Sequence, residues 1–275
     1  MEKKINWKSE YKRCIQDIEY MIEHYALCKP LYPAQKEILY NMKYNNTTVV
    51  SKSRDIGYTT LMAAYSACQM ILNCDENYDI LYVGCNGGTC VEFLRRVLSY
   101  INKIPKELWS ADDTTVCTRQ GSICVGKSQL RTANGRYGIS DVFDKTNSFR
   151  PRYTVFDEPA YLEMDVKECI QQVLHYICDK YVIGSTPNPK NEKWFNFVKE
   201  YKETSSYVEL PWWTNTNHKM GDDDDVEILS TPYGDPLYKT NRWCCDKRRH
   251  YLNDDEFDIE YSAKVWKYKV VKEYI

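Results

Sequence analysis

The sequence has no long apolar run, and it opens with Met1-Glu-Lys-Lys rather than with an apolar segment. A membrane-spanning helix needs about 20 consecutive, mostly apolar residues, and a secretory signal peptide carries a shorter apolar stretch near its start. The sequence therefore predicts neither feature. We expect a soluble, unsecreted protein without a membrane partner.

Cysteine and histidine do not occur at the spacings of metal or redox sites. The chain has 12 cysteines but no C-x-x-C pair, and only 4 histidines. Zinc sites and disulfide frameworks depend on short, regular spacings of these residues. We therefore expect reduced thiols in a cytoplasm.

Charge of one sign is not in large excess, since the net charge is −2 at pH 7. A strongly basic balance would indicate nucleic-acid binding. The net charge of this chain is still compatible with a basic face, because the acidic run at residues 222–225 can balance the charge of such a face.

The chain does contain enough apolar material for a large core. Its 275 residues are 43% hydrophobic and include 24 tyrosines and 7 tryptophans. This composition is typical of a packed globular protein. We predict one large α/β domain with a small appended subdomain.

A strand, a polar loop and a helix follow one another over residues 47–73. The β-branched start predicts a buried strand, and the apolar spacing from Leu61 to Leu72 predicts a helix capped by Thr59 and Thr60. Such a loop presents backbone N–H groups and the positive end of a helix to an anion. We predict that this loop binds nucleotide phosphates. Tyr58 stands where the usual loop has its lysine, so Lys52 would reach in from the other side.

A literal match to the phosphate-loop pattern G-x-x-x-x-G-K-[ST] lies elsewhere, at residues 121–128. Gly135 and Gly138 would break any helix after it, and the Arg119-Gln-Gly segment before it indicates a turn. We therefore favour the loop at residues 47–73 and predict a β-hairpin at residues 114–132. The literal match stays open as the alternative.

Two adjacent carboxylates, Asp157 and Glu158, end a short apolar strand at residues 152–157. In ATPases of the phosphate-loop class, the first such carboxylate holds Mg²⁺ and the second orients or deprotonates the attacking water. The alternative is a simple turn before a helix with Pro159 in its first position. The phosphate loop about 100 residues earlier favours the functional interpretation.

Two polar segments have functional and structural interpretations. Tyr32 and Gln35 stand ahead of a helix, where an amide and a ring can bind adenine or a solvated glutamine can cap the helix. Ser185 and Thr186 end another strand, where hydroxyls can sense a γ-phosphate or form a Pro-rich turn.

The remaining patterns predict further elements of an alternating α/β fold. The sequence indicates helices at residues 6–28, 89–104, 164–178 and 192–203, strands at 79–84, 180–184 and 207–210, an exposed partner-binding loop at 133–151, an acidic loop at 221–236, and a charged helix at 238–264.

The order of four motifs resembles the ATPase domain of the large terminase subunit, the motor that packages DNA into the heads of tailed phages and herpesviruses. The motifs are aromatic-x-x-Gln, Ser-x-Ser-Arg-x-x-Gly-x-Thr, Phe-Asp-Glu and Gly-Ser-Thr-Pro-Asn, and the resemblance covers about residues 31–264. Some terminases are similar in placing the lysine early in the loop and Gly-Tyr-[Ser/Thr] at its end.

The resemblance implies an α/β P-loop NTPase of the ASCE/RecA-like class, with a mainly parallel central sheet flanked by helices and a small C-terminal helical subdomain. We expect an N-terminal helix at residues 1–30, the ATPase core at 31–210 and the subdomain at 211–275. The family's nuclease domain would be absent, so we expect no nuclease activity from this chain.

The resemblance also assigns roles to residues, with ATP and Mg²⁺ as cofactors. Glu158 and Arg54 would be catalytic, Thr59 and Asp157 would hold Mg²⁺, and Ser185 and Thr186 would form the coupling motif. The nucleotide would contact Tyr32, Gln35, Ser51, Lys52, Ser53, Arg54, Asp55, Gly57, Tyr58, Thr59 and Thr60.

The implied partners are double-stranded DNA, bound without sequence preference, the portal protein and the small terminase subunit. A homo-oligomeric ring on the portal, in the cytoplasm of an infected bacterial cell, would be the working form. Two alternatives remain: a non-hydrolysing nucleotide- or DNA-binding docking module with the same fold, and a superfamily 2 helicase-like ATPase.

Overall fold

The computed structural model describes most of the chain. The described residues are 5–111, 115–119, 121–134, 149–162, 165–171, 178–188, 190–216, 218, 220–221, 227–229, 238–250, 257, 260–261 and 263. Most of the expected loop at 133–151, residues 164 and 172–177 of the expected helix at 164–178, the acidic run at 222–225 and most of the tail beyond residue 250 lie outside them.

An eight-stranded, mostly parallel sheet forms the centre of the fold. Its strands are β1 (Thr47–Lys52), β2 (Asp79–Gly84), β3 (Val116–Arg119), β4 (Ser122–Val125), β5 (Ser128–Asn134), β6 (Pro151–Asp157), β7 (Lys180–Ser185) and β8 (Tyr207–Leu210). Their order is β3-β4-β5-β2-β6-β7-β1-β8. The pairs from β5 to β8 are parallel, whereas β3, β4 and β5 pair antiparallel. The predicted α/β fold with a mainly parallel sheet is confirmed.

Helices cover both faces of the sheet. They are α1 (Trp7–Gln16), α2 (Ile18–Met21), α3 (Pro33–Tyr44), α4 (Tyr58–Leu72), α5 (Gly87–Ile101), α6 (Val166–Cys169), α7 (Glu192–Tyr201) and α8 (Arg242–Arg248). Side chains alternate along a strand, so Val50 packs with α4 and α5 while Val49 packs with α7. Burial on both faces explains why β2, β6 and β7 have near-continuous apolar sequences.

The N-terminal helix is interrupted, contrary to the single helix that the sequence predicts at residues 6–28. The α-helix ends at Gln16, Asp17 caps the next short helix by accepting from the Tyr20 N–H, and a π-helical turn follows over Ile22–Ala26. These breaks shift the buried face. The apolar side chain of Ile15 is therefore 54% exposed.

Helix α4 begins one residue before its predicted cap. Its N-cap is Gly57, which has a left-handed φ of 80°, and no side chain caps the helix. The hydroxyls of Thr59 and Thr60 therefore do not act as caps and have partners outside α4. The cap prediction was wrong because Gly57 makes the turn through its backbone alone.

The literal phosphate-loop match lies in the predicted β-hairpin. Gly126 and Lys127 form the turn between β4 and β5, and Ser128 begins a strand rather than a helix. Oγ of Ser128 donates to the carbonyl of Asn73 at 2.7 Å. A hairpin turn has no helix N-terminus for an anion, so this segment lacks the geometry of a phosphate loop.

The C-terminal region differs from its predicted form. Strands β9 (Glu227–Leu229) and β10 (Tyr238–Thr240) pair antiparallel where the sequence predicts an acidic loop and the start of a helix. Helix α8, capped by Asn241, lies within the helix that the sequence predicts at residues 238–264. This region has its own small apolar cluster, which consists of Trp212, Cys244, Phe257 and Tyr261.

No helix in the described part of the chain is both long enough and apolar enough to span a membrane.

Candidate active site

The carboxyl ends of three parallel strands meet at one edge of the sheet. Strand β7 lies between β1 and β6, with Ser51 paired to Ser185 and Asp157 paired to Gly184. Lys52, Asp157 and Thr186 therefore stand at neighbouring strand ends, although they are far apart in sequence. Ligand sites of open α/β sheets lie at this edge.

A cavity of about 770 Å³ opens at the same edge, above the loop between β1 and α4. It is lined by Lys52, Arg54, Asp55, Ile56, Gly57, Tyr58, Thr59, Thr60, Cys85, Asn86, Arg96, Glu158, Tyr161 and Thr186. The structure thus brings most of the predicted loop residues together with the second predicted carboxylate. Asp157 lines a smaller adjoining cavity of about 400 Å³ that shares Thr59, Arg96 and Glu158 with the first.

Gln35 is hydrogen-bonded to the end of the loop. Its Nε2 donates to the carbonyl of Gly57 at 3.1 Å, and its Oε1 accepts from the N–H of Tyr32 at 3.1 Å. A Cβ on Gly57 would lie 2.6 Å from that Nε2, so glycine is required there by space as well as by its positive φ. Gln35 is buried, which contradicts the alternative interpretation that it is a solvated residue capping the helix. The role of Tyr32 and Gln35 toward adenine stays a prediction.

Lys52 and Thr186 hold the carboxylate of Glu158 in place. Nζ of Lys52 donates to Oε1 of Glu158, and Oε2 accepts from the N–H of Thr186 at 2.8 Å and from its hydroxyl at 2.9 Å. Oγ of Ser185 lies 3.1 Å from the same oxygen. Burial opposes ionisation, but the charge and hydrogen bond of Lys52 and the Thr186 donors outweigh it and lower the pKa of Glu158. The carboxylate is therefore ionised at neutral pH.

Asp157 has one satisfied and one unsatisfied carboxylate oxygen. Oδ2 accepts from Oγ1 of Thr59 at 2.7 Å and from the hydroxyl of Tyr82 at 2.9 Å. Oδ1 is buried without a hydrogen-bond partner. Burial raises the pKa of Asp157 despite the nearby Lys52. A buried carboxylate oxygen without a partner, next to a threonine hydroxyl, fits the oxygen ligands that Mg²⁺ prefers.

The ring of Tyr58 lies under the sheet edge instead of in the loop. Its hydroxyl is 3.1 Å from the carbonyl oxygens of both Phe156 and Val182, and the residue is 1% exposed. Gly184 makes room for it, since a Cβ there would lie 2.4 Å from the tyrosine ring. The side chain at the usual lysine position therefore joins β6 to β7 and does not reach toward an anion.

The C-terminal region is attached directly to the loop. Nη2 of Arg54 lies 2.9 Å from Oε1 of Glu260, and the N–H of Arg54 donates to the carbonyl of Glu260 at 2.8 Å. Oγ of Ser51 donates to the carbonyl of Ala263 at 2.6 Å. Ser51 and Ser53 are buried and do not line the cavity, so the structure places these two predicted contact residues behind the loop.

His218 and Asn215 support the loop from the same side. Nδ2 of Asn215 donates to the carbonyl of Asp55 at 2.7 Å and to Nε2 of His218 at 3.1 Å. Nε2 therefore accepts, and Nδ1 donates to the carbonyl of Trp212 at 2.9 Å. This pattern fits the neutral ring, and burial lowers the pKa of His218.

Five cavity residues have no counterpart in the sequence-based site. They are Ile56, Cys85, Asn86, Arg96 and Tyr161. Cys85 and Asn86 connect a predicted strand to a predicted helix, and parallel strands end at the same edge, so these two were within reach of sequence reasoning. Arg96 lies more than two turns into α5, where no local signal marks it.

No protein-family model matches the sequence. Among solved structures, the ATPase domain of the large terminase from Thermus phage P74-26 is similar with a TM-score of 0.62 at 12% identity, over 87% of this chain and 96% of that domain. The large terminase of bacteriophage HK97 has a TM-score of 0.58 at 14% identity, over 90% of this chain and 54% of that one.

The large terminase of a thermophilic bacteriophage, solved in complex with ATP-γ-S, has a TM-score of 0.51 at 14% identity, over 86% of this chain and 53% of that one. This chain thus spans about half the length of these last two large terminases. The resemblance indicated by the motifs is confirmed at the level of the fold. This chain has the P-loop α/β fold of the ATPase domains of phage large terminases.

Proposed function

We propose that this chain is the ATP-hydrolysing motor domain of a viral large terminase subunit, which drives double-stranded DNA into a procapsid. The observation that carries the proposal is the convergence of the Lys52 loop, Asp157 and Glu158 on two adjoining cavities at the sheet edge. Phosphoryl transfer needs phosphate-binding charge, a metal ligand and a residue that positions water within one site.

Lys52 and Arg54 supply the positive charge for the triphosphate. Both line the cavity, and both now pair with carboxylates, Lys52 with Glu158 and Arg54 with Glu260. The γ-phosphate competes for these cations when ATP binds. Glu158, ionised and relieved of Lys52, then accepts a hydrogen bond from the attacking water.

Thr59 and Asp157 would hold Mg²⁺, and the partnerless Oδ1 of Asp157 supports this assignment. When bound, the ion would supply positive charge that offsets the charge of the phosphates. The hydroxyl of Tyr82 keeps the Asp157 carboxylate in place through Oδ2.

Ser185 and Thr186 couple the state of the site to β7. The N–H and hydroxyl of Thr186 both donate to Oε2 of Glu158. A movement of the carboxylate would therefore also move the end of this strand. This coupling role rests on the two contacts and on the place of β7 between β1 and β6.

The similarity in fold to proteins named large terminases supports the proposals about DNA, partners and location that come next. We propose that the chain acts on DNA through its backbone, so binding is independent of sequence and weakens with salt. The proposal includes a ring of copies on a portal protein, a small terminase subunit as a partner, and the cytoplasm of an infected bacterium as the location.

The proposal includes the division of the chain into residues 1–30, 31–210 and 211–275, and the absence of nuclease activity. The separate apolar cluster around Trp212 and Cys244 supports the third unit.

A non-hydrolysing docking module is the second candidate, and one observation favours it. Tyr58 replaces the usual loop lysine and is buried, while Lys52 is already paired. A loop whose lysine is already paired binds phosphate less strongly than one whose lysine is available.

Phosphate release with and without double-stranded DNA separates the two candidates. We expect ATP- and Mg²⁺-dependent release that DNA increases, to the same extent for duplexes of unrelated sequence. The increase should fall as salt rises. Absence of phosphate release under every condition would favour the docking module.

A further inference from the structure

Arg96 is a third cation at the cavity. Among the described residues, the cationic side chains that line it are Lys52, Arg54 and Arg96. Arg96 comes from α5. Its Nη1 donates to Oγ1 of Thr60 at 3.0 Å, so the guanidinium lies against the first turn of α4.

The first turn of α4 lacks its usual cation. In the common phosphate loop a lysine follows the last glycine and reaches the phosphates from this turn. Here Tyr58 occupies that position and its ring packs under β6 and β7. The positive charge nearest to this turn on the α5 side is therefore Arg96.

The guanidinium of Arg96 is oriented but not saturated. Nε donates to Oε1 of Glu92 at 2.8 Å, and Nη1 donates to Thr60. Within the described part of the chain, Nη2 has no hydrogen-bond acceptor. Two anchored nitrogens fix the plane of the guanidinium, and the available Nη2 can donate to a phosphate oxygen.

We propose that Arg96 binds the phosphate chain of the nucleotide at its α- or β-phosphate, where it replaces the cation that Tyr58 does not supply. This inference rests on the proposed ATP site. It extends that site to α5, a helix outside the phosphate loop.

The placement beside Thr60 selects the inner phosphates. In the proposed site, Glu158 and Thr186 mark the γ-phosphate end, and Thr59 with Asp157 marks the place where Mg²⁺ would be held. Thr60 is the next residue of the helix start, whose N–H groups cradle the α- and β-phosphates. Loss of Arg96 should therefore weaken ADP and ATP alike.

Arg95 provides a matched control. It precedes Arg96 on α5 and also pairs with Glu92, through Nε at 2.8 Å and Nη2 at 3.0 Å. The side chain of Arg95 is 74% exposed and does not line the cavity, whereas that of Arg96 is 36% exposed and does. The hydrogen bonds from Arg95 and then Arg96 lower the pKa of Glu92 to about 2, so the two arginines share one carboxylate.

Calorimetric titration of the whole chain with Mg²⁺-ATP and with Mg²⁺-ADP tests the inference. We expect Arg96→Ala to weaken both affinities by about tenfold or more, Arg96→Lys to weaken them less, and Arg95→Ala to leave them within about twofold. Circular dichroism of each variant checks the fold, and Arg96→Lys carries the test if Arg96→Ala is unfolded.

Three results would overturn the inference. Equal affinities of Arg96→Ala and Arg95→Ala, in a chain that binds nucleotide, would overturn it and leave the proposed function standing. Loss of DNA binding by Arg96→Ala with unchanged nucleotide affinity would assign Arg96 to DNA instead. No binding of either nucleotide by the wild-type chain would overturn the proposed function, and this inference with it.

Discussion

Lys52 and Glu158 form an ion pair across the end of β7, the strand that separates β1 from β6. The lysine side chain is 6% exposed and that of Glu158 is 27% exposed. Each residue was predicted to serve a different part of the nucleotide reaction, and in this structure they neutralise each other. The pairing compensates the charge of a buried lysine and of an ionised glutamate.

The two lysines of the competing loops should behave differently. Lys52→Ala should reduce ATP affinity by about tenfold or more, because it removes a charge that lines the cavity. Lys127→Ala should leave nucleotide affinity nearly unchanged, since Lys127 lies in the turn between β4 and β5.

Titration of a fluorescent ATP analogue into both variants measures the difference, with thermal melting as the check on folding. Loss of binding in Lys127→Ala but not in Lys52→Ala would assign the phosphate site to the literal motif. Lys127→Ala could still weaken DNA binding by removing one phosphate contact, which a DNA titration reports separately.

Mg²⁺ dependence should report on Asp157. Asp157→Asn keeps an oxygen for Thr59 and Tyr82 but removes the charge that we assign to the metal. We expect the wild-type chain to bind ATP more tightly with Mg²⁺ than with EDTA, and the variant to lose most of that difference. An unchanged Mg²⁺ effect in the variant would contradict the assignment.

The contact between Tyr58 and Gly184 should limit substitution at both positions. Gly184→Ala places a Cβ 2.4 Å from the tyrosine ring, so it should lower the free energy of unfolding by about 1 to 3 kcal/mol. Chemical denaturation measures this change. The penalty should be smaller in a Tyr58→Leu background, where the ring is gone, and an equal penalty in both backgrounds would show that the two residues do not interact.

Acidification should weaken the support that His218 gives the loop. Its pKa is lowered by burial from 6.5, so the unfolded chain takes up a proton as pH falls below about 6.5 while the folded chain resists it. The contribution of His218 is thus fully present above that pH and is progressively lost below it. Protonation would also place an N–H of the ring against the amide of Asn215.

The variant His218→Phe keeps a ring on Trp243, whose centroid is 3.9 Å away, but it cannot titrate. At a pH of about 7.5 it should be less stable than the wild type, and the difference in melting temperature should shrink toward a pH of about 5.5. A difference that stays constant or grows would contradict the neutral histidine.

The sequence predicts the centre of this site because each part is local. The buried strands have apolar runs that end at polar residues, and parallel strands bring those ends to one edge. Lys52, Asp157, Glu158 and Thr186 could therefore be placed together without a structure. Strand alternation also explains why Ser51 does not line the cavity, since consecutive residues of a strand face opposite sides of the sheet.

The remaining features depend on long-range packing that leaves no local pattern. The contacts of Arg54 with Glu260 and of Ser51 with Ala263 join residues about 200 positions apart in sequence. Arg96 reaches the loop only because α5 packs beside α4. The buried state of Tyr58, in α4, depends on Gly184 in β7. The sequence neighbours of Tyr58 therefore do not predict its burial.

Glu158→Gln tests the central claim most directly, because it keeps the shape of the side chain and removes the negative charge that positions the water. Phosphate release should fall by orders of magnitude relative to the wild type, while ATP affinity, measured on the same preparations, should be retained. Equal phosphate release by the wild type and Glu158→Gln would contradict the claim that this carboxylate drives hydrolysis and would support the docking module.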